Sequence, residues 1–148
     1  MTTSAAALLV VQLGATAAMM GLIWFVQLVQ YPGFADVGGD QFVSFEAAHM
    51  RRTSWVVGPL MGIEGVSALV VAVTLRAEVG IVLVALSLLL LAVIHASTVF
   101  LQVPAHSRLA TGYDADVQRR LVQTNWVRTF GWSARTVVAG AMIMAASS

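Results

Sequence analysis

The sequence predicts an all-α protein, a bundle of four transmembrane helices with a polar cavity toward the cytoplasmic side. Three observations carry that prediction. Hydrophobic residues fill 59% of the 148 positions and charged residues only 10%, against about 45–50% and about 25% in ordinary soluble domains. Four stretches each supply about 20 mostly apolar residues, enough to cross a bilayer. The polar residues inside those stretches fall on helical faces instead of scattering. A single integral membrane domain over residues 1–148 accommodates them all.

The first span covers about 4–29. Its N-terminal part resembles a secretory signal, yet it lacks a basic leader and stays apolar through Val29, which predicts a retained helix. The link "QYPGFADVGGDQFVSFEAAHMRR" follows, broken by Pro32, Gly33, Gly38 and Gly39. Within it "DQFVSFEAAHM" reads as a short interfacial helix capped by Asp40. The second span covers about 53–75 and turns tightly through "RAEVG" into a third at about 79–103. The link "PAHSRLATGYDADVQRR" offers Asp114 or Asp116 as cap for a fourth span at about 121–146. Asn125, Arg128 and Arg135 interrupt that last span, so its neighbours must shield it. No internal repeat is visible.

Charge and cysteine usage exclude several functions. A net charge of +1 cannot build a nucleic-acid-binding patch. The absence of cysteine removes disulfides, thiolate metal sites and thiol nucleophiles. The basic residues are all arginine. Arg51, Arg52, Arg108, Arg119 and Arg120 sit in the first and third links, and only Arg76 sits in the second. The positive-inside rule then places those two links in the cytoplasm and both termini outside. A bacterial inner membrane, with the lipid bilayer as partner, is the expected location.

Ionisable groups at membrane depth are costly, so each is a functional candidate. Glu64 and Arg135 fall at matched depths, and Arg128 lies about two turns nearer the cytoplasm. In a continuous α-helix His95, Gln102 and His106 share one line to within about 20°. On the fourth span Asn125, Arg128, Trp132 and Arg135 follow i, i+3, i+7 and i+10, one stripe. The first span adds Gln27 and Gln30 at its cytoplasmic end, and such stripes imply a cavity between the helices.

Several readings of the cavity stand side by side. Glu64 with Arg135 forms a packing ion pair, and His95 bonds a backbone carbonyl. Alternatively His49, Glu64, His95 and His106 supply ligands for iron, copper, zinc or manganese; His95 and His106 are about 16 Å apart along a straight helix, so one ion takes a subset, His95 with Glu64 or His49 with His106. A third reading needs no metal. His95 or Glu64 serves as general base, while Arg128 and Arg135, with Asn125, Trp132 and Gln102, hold a small amphipathic or aromatic ligand such as a phenol or quinone. Bis-histidine haem through His49 and His106 ranks lower. Without repeats or broken helices, a carrier would require a homo-oligomer.

From "VPAHSRLATGYDADVQRRLVQTNWVRTFGWSART" the chain resembles the anthrone-oxygenase-like family of small four-helix membrane proteins. Pro104, His106 and Leu109 align with that family's Pro-x-Asn-x-x-Leu element, with His106 in place of Asn. Asp114 and Asp116 align with its acidic turn, and Trp126, Arg128, Trp132 and Arg135 with its last element. The resemblance implies oxygenation of phenolic or polyketide-type substrates. The leading expectation is therefore an oxidoreductase or oxygenase-like membrane enzyme with His95 and Glu64 at its centre. The rival is a non-catalytic bundle that binds a lipid or quinone, or packs against a partner protein.

Overall fold

The structure, a computed structural model describing residues 1–147, is helical almost throughout. The α-helices are α1 (Thr3–Phe25), α2 (Gly39–Thr74), α3 (Arg76–Val79), α4 (Ile81–Ser97), α5 (Val103–Leu109) and α6 (Ala115–Ser147). A π-helical turn, Val26–Gln30, extends α1, and a second, Thr98–Gln102, joins α4 to α5. A 3-10 turn, Pro32–Asp36, leads toward α2.

Three helical stretches are long and apolar enough to cross a membrane: Thr3–Asp36, Gly39–Thr74 and Ile81–Leu109. The fourth expected span corresponds to α6, which is as long but too rich in charged and polar residues to qualify by composition. Packing explains the difference. α6 runs along α1 on one side and α4 on the other, while α1 also packs against α2. Asn125, Arg128, Thr129 and Arg135 are therefore buried against protein.

Two boundaries differ from expectation. The stretch read as a separate interfacial helix is the first part of α2, which runs unbroken for 36 residues. Asp40 lies in its first turn, and the N-cap is Gly38, with no side-chain cap. Asp114 does cap α6: its Oδ1 accepts from the Asp116 and Val117 N–H groups at 2.9 and 3.1 Å. Between α3 and α4 the chain turns at Gly80 with φ +91°, a conformation that favours glycine.

The core has two apolar clusters. One joins Met19, Ile23, Phe34, Phe42, Ile94, Leu121 and Trp132 near the arginine-rich end. The other joins Leu9, Val71, Val84, Val138 and Met142 at the opposite end. Close to their junction all four long helices meet at one ion pair. The Arg135 guanidinium (α6) donates to Glu64 Oε1 (α2) and to the hydroxyl of Ser87 (α4). It reaches the Ser87 carbonyl at 2.6 Å. The Thr16 hydroxyl (α1) donates to the same Glu64 oxygen at 2.9 Å. α6 approaches α4 most tightly at Gly131, where a Cβ would stand 2.7 Å from Ile94 Cγ1. By contrast α2 and α4 touch sparsely, which leaves a cleft between them.

Candidate functional site

Two prolines shape the arginine-rich end. Pro32 and Pro104 have no N–H, and in an α-register each ring would collide with the carbonyl four residues earlier. The helix responds by widening just before each proline. Tyr31 N–H bonds to the Val26 carbonyl, and Val103 N–H to that of Thr98, each across five residues. Both turns end in Gln-x-Pro: Gln30-Tyr31-Pro32 and Gln102-Val103-Pro104. Such π turns concentrate at functional sites, and these two bring Gln27, Gln30, Tyr31, Thr98 and Gln102 into the interior of the bundle or onto its cavity.

The centre of the site is a hydrogen-bonded chain of three side chains. The Tyr31 hydroxyl lies 2.9 Å from His106 Nε2, and His106 Nδ1 lies 2.6 Å from Glu46 Oε1. A carboxylate oxygen only accepts, so Nδ1 holds its proton toward Glu46. In the neutral ring Nε2 then accepts from Tyr31. Glu46 is fully buried and Tyr31 nearly so. Phe34 covers the chain: its ring stands 5.5 Å from Tyr31, 6.3 Å from His106 and 5.0 Å from His49. His49 stacks on His106 with centroids 5.5 Å apart, and its Nδ1 contacts Gln30 and Thr53 at 3.4 Å.

A second network brings positive charge to the same place. Gln27 Oε1 accepts from Asn125 at 2.9 Å, and Asn125 Oδ1 accepts from Arg128 Nη1 at 3.2 Å. Gln27 Nε2 donates to the Val122 carbonyl at 3.1 Å. Arg128 thus points along a fixed line, and it lines the same cavity as Tyr31. Tyr31, His106, Arg128, Gln102, Thr53 and Thr98 line an open cavity of about 310 Å³, the lower end of the roughly 300–1,000 Å³ typical of small-molecule sites. Two buried polar atoms of its wall, Arg128 Nε and Gln102 Oε1, have no protein partner, nor does Glu46 Oε2 behind it. Native interiors rarely leave such atoms unpaired.

The expected site residues divide into three groups. Arg128, Gln102 and His106 line this cavity, Asn125 and His49 contact Arg128 and His106 respectively, and Trp132 is fully buried in the core. Glu64 and Arg135 pair with each other at the four-helix junction, the packing arrangement their matched depth predicts. His95 joins neither group. Its Nδ1–H donates to the Leu91 carbonyl of its own helix at 2.9 Å, and its ring is half-buried in the α2–α4 cleft. The shared line of His95, Gln102 and His106 fails because the π turn inserts one surplus residue. That shifts His106 to about 80° from His95 around the axis. The expected metal set is consequently split: His49 and His106 lie together, Glu64 and His95 lie apart from them, and among the described residues no three His, Asp or Glu side chains gather as metal ligands.

Tyr31, Glu46 and Phe34 were missed because they fall in the segment that reads as a broken link, whereas Gln27, at the end of the first span, is buried facing Asn125 as a polar residue of the cavity side. The repeated Gln-x-Pro was the available signal. Gln12, fully buried in the aliphatic half with neither amide atom paired, also had no counterpart in the sequence reading. Comparison of the chain with protein-family models, with curated proteins and with solved structures gives no match.

Proposed function

We propose that the protein is a four-span membrane enzyme performing acid–base chemistry on a phenolic or enolisable amphiphile, with the Tyr31–His106–Glu46 chain as proton relay. The observation that carries the reading is this relay, completed by an arginine and opening on a cavity. The Tyr31 oxygen takes the substrate proton as its own proton passes to His106 Nε2. Glu46 stabilises the imidazolium that results, and Arg128 stabilises the phenolate or enolate left behind. An enolate or phenolate of this kind, with dioxygen as co-reactant, is also the reactive form an oxygenase would need. That agrees with the expected oxygenation of phenolic or polyketide-type substrates.

A membrane setting supports the reading. Thirty-six residues of α2 extend about 54 Å, while the hydrocarbon core is about 30 Å thick. Trp55 is 79% exposed just past Arg51 and Arg52, the pattern of an interfacial belt. The relay then lies at the headgroup level, with the arginine-rich end toward the cytoplasm of a bacterial inner membrane and both termini outside.

The test uses anthrone, an enolisable ketone, with protein in nanodiscs in deuterium oxide. NMR follows exchange of the methylene protons, and an oxygen electrode follows dioxygen uptake. The wild type should exchange faster than empty nanodiscs, and His106→Gln should slow exchange by roughly 10²–10⁴-fold, the usual weight of one acid–base group. Exchange no faster than in empty nanodiscs rejects the enzyme reading. Anthrone binding that persists without exchange favours the non-catalytic binder.

A further inference from the structure

The cavity continues out of the bundle along the cleft between α2 and α4. Gly58 lies on its wall, and one turn farther along α2 the cleft is floored by Gly62 and Gly65. On the opposing helix Thr98 lines the cavity, and His95, one turn away, lines the cleft. The two hollows thus adjoin on both walls. A Cβ added at Gly58, Gly62 or Gly65 would meet nothing within 4 Å. Beyond the glycines Val66, Leu69, Leu88 and Leu91 make the floor aliphatic. From Gly58 to Leu69 the furrow runs roughly 16 Å along the helix axis.

We infer that the furrow holds the apolar tail of a bilayer-borne phenol or quinol whose ring occupies the cavity, and that this ligand arrives sideways between α2 and α4. The inference rests on the acid–base reading above and specifies its substrate class. Two independent features support it. The unpartnered Arg128 Nε and Gln102 Oε1, both more than nine-tenths buried, mark the inner end as a polar head site. The cation there suits a phenolate and not an ammonium headgroup. The outer end offers no polar partner except His95, whose Nδ1 is already committed to its own helix. A polar head with a straight chain matches this sequence of surfaces, whereas a compact soluble phenol would leave the furrow unused.

The ligand pair 4-dodecylphenol and 4-ethylphenol tests the idea by quenching of tryptophan fluorescence in nanodiscs. Gly62→Leu and Gly65→Leu fill the furrow without a clash, so both should fold. Gly21→Leu, an exposed open position on α1, controls for partitioning into the bilayer. The furrow variants should weaken dodecylphenol by about tenfold or more and leave ethylphenol within about twofold, because overpacking acts only on the tail. Gly21→Leu should change neither. Equal affinity of dodecylphenol for wild type and both furrow variants overturns the tail site, even where Arg128→Gln still weakens both phenols. Failure of both phenols to bind the wild type defeats the head site, and with it the acid–base reading.

Discussion

The Glu64–Arg135 pair supplies the sharpest stability prediction. Glu64→Gln leaves a guanidinium that is fully buried, cannot shed its proton, and keeps only Ser87 and an amide oxygen as partners. Breaking a buried pair from one side costs about 3–5 kcal/mol, and this variant belongs at the upper end. Arg135→Gln leaves a carboxyl that keeps the Thr16 hydroxyl as donor and gains an amide donor, so it belongs near the lower end. Combining the two removes both charges and leaves two amides able to bond one another, Thr16 and Ser87. The double variant should therefore cost about 3 kcal/mol less than the sum of the two singles. A typical protein has only about 5–15 kcal/mol in total, so the Glu64→Gln single should be barely folded. Thermal or SDS unfolding in detergent, followed by circular dichroism, reads all four species. Additive costs in the double variant, or a Glu64→Gln within about 1 kcal/mol of wild type, would refute the account of Glu64 as the tie between four helices.

Further predictions concern packing, capping and chemistry. Gly131→Ala should destabilise by about 1–3 kcal/mol, since its Cβ meets Ile94, while Gly14→Ala, with open space around it, should be neutral or mildly stabilising in the same melts. Asp114→Ala should cost about 1 kcal/mol through loss of the α6 cap, and Asp114→Asn should restore most of it. Tyr31→Phe should keep the melting temperature within a few degrees yet slow anthrone exchange by roughly 10²-fold or more. Dialysis against a chelator should leave both melting and exchange unchanged, because no third histidine or carboxylate ligand joins a common site with the His49–His106 pair among the described residues; a loss restored by added iron, copper or zinc would contradict that.

Much of the architecture is legible in the sequence because lipid-length apolar runs announce helices directly. The α6 stripe of Asn125, Arg128, Trp132 and Arg135 is buried as its spacing predicts. The matched depth of Glu64 and Arg135 likewise anticipates their pairing. Legibility ends where the α-helical period ends. The angular alignment of His95 with His106 assumed an uninterrupted helix, and the turn at Thr98–Gln102 breaks that assumption. Glu46 looks like a surface carboxylate in a glycine-flanked segment. It becomes buried only because the link folds Tyr31 and Phe34 over it, a tertiary event that no local pattern encodes.

The two widened turns also have a consequence for chain length. Each stores one residue more than the helix needs to connect its flanks, so the chain has a removable unit there. Phe100 is 75% exposed within the second turn. Excising it together with Pro104→Ala should let the segment close into an ordinary α-helix, with α4 and α5 still aligned. Excising an exposed residue such as Leu89 from the middle of α4 has no such slack to draw on, and would rotate every later side chain by about 100°. Single-residue deletion scanning in a background carrying Pro32→Ala and Pro104→Ala should therefore show two islands of tolerance within otherwise intolerant helices, both immediately before the replaced prolines.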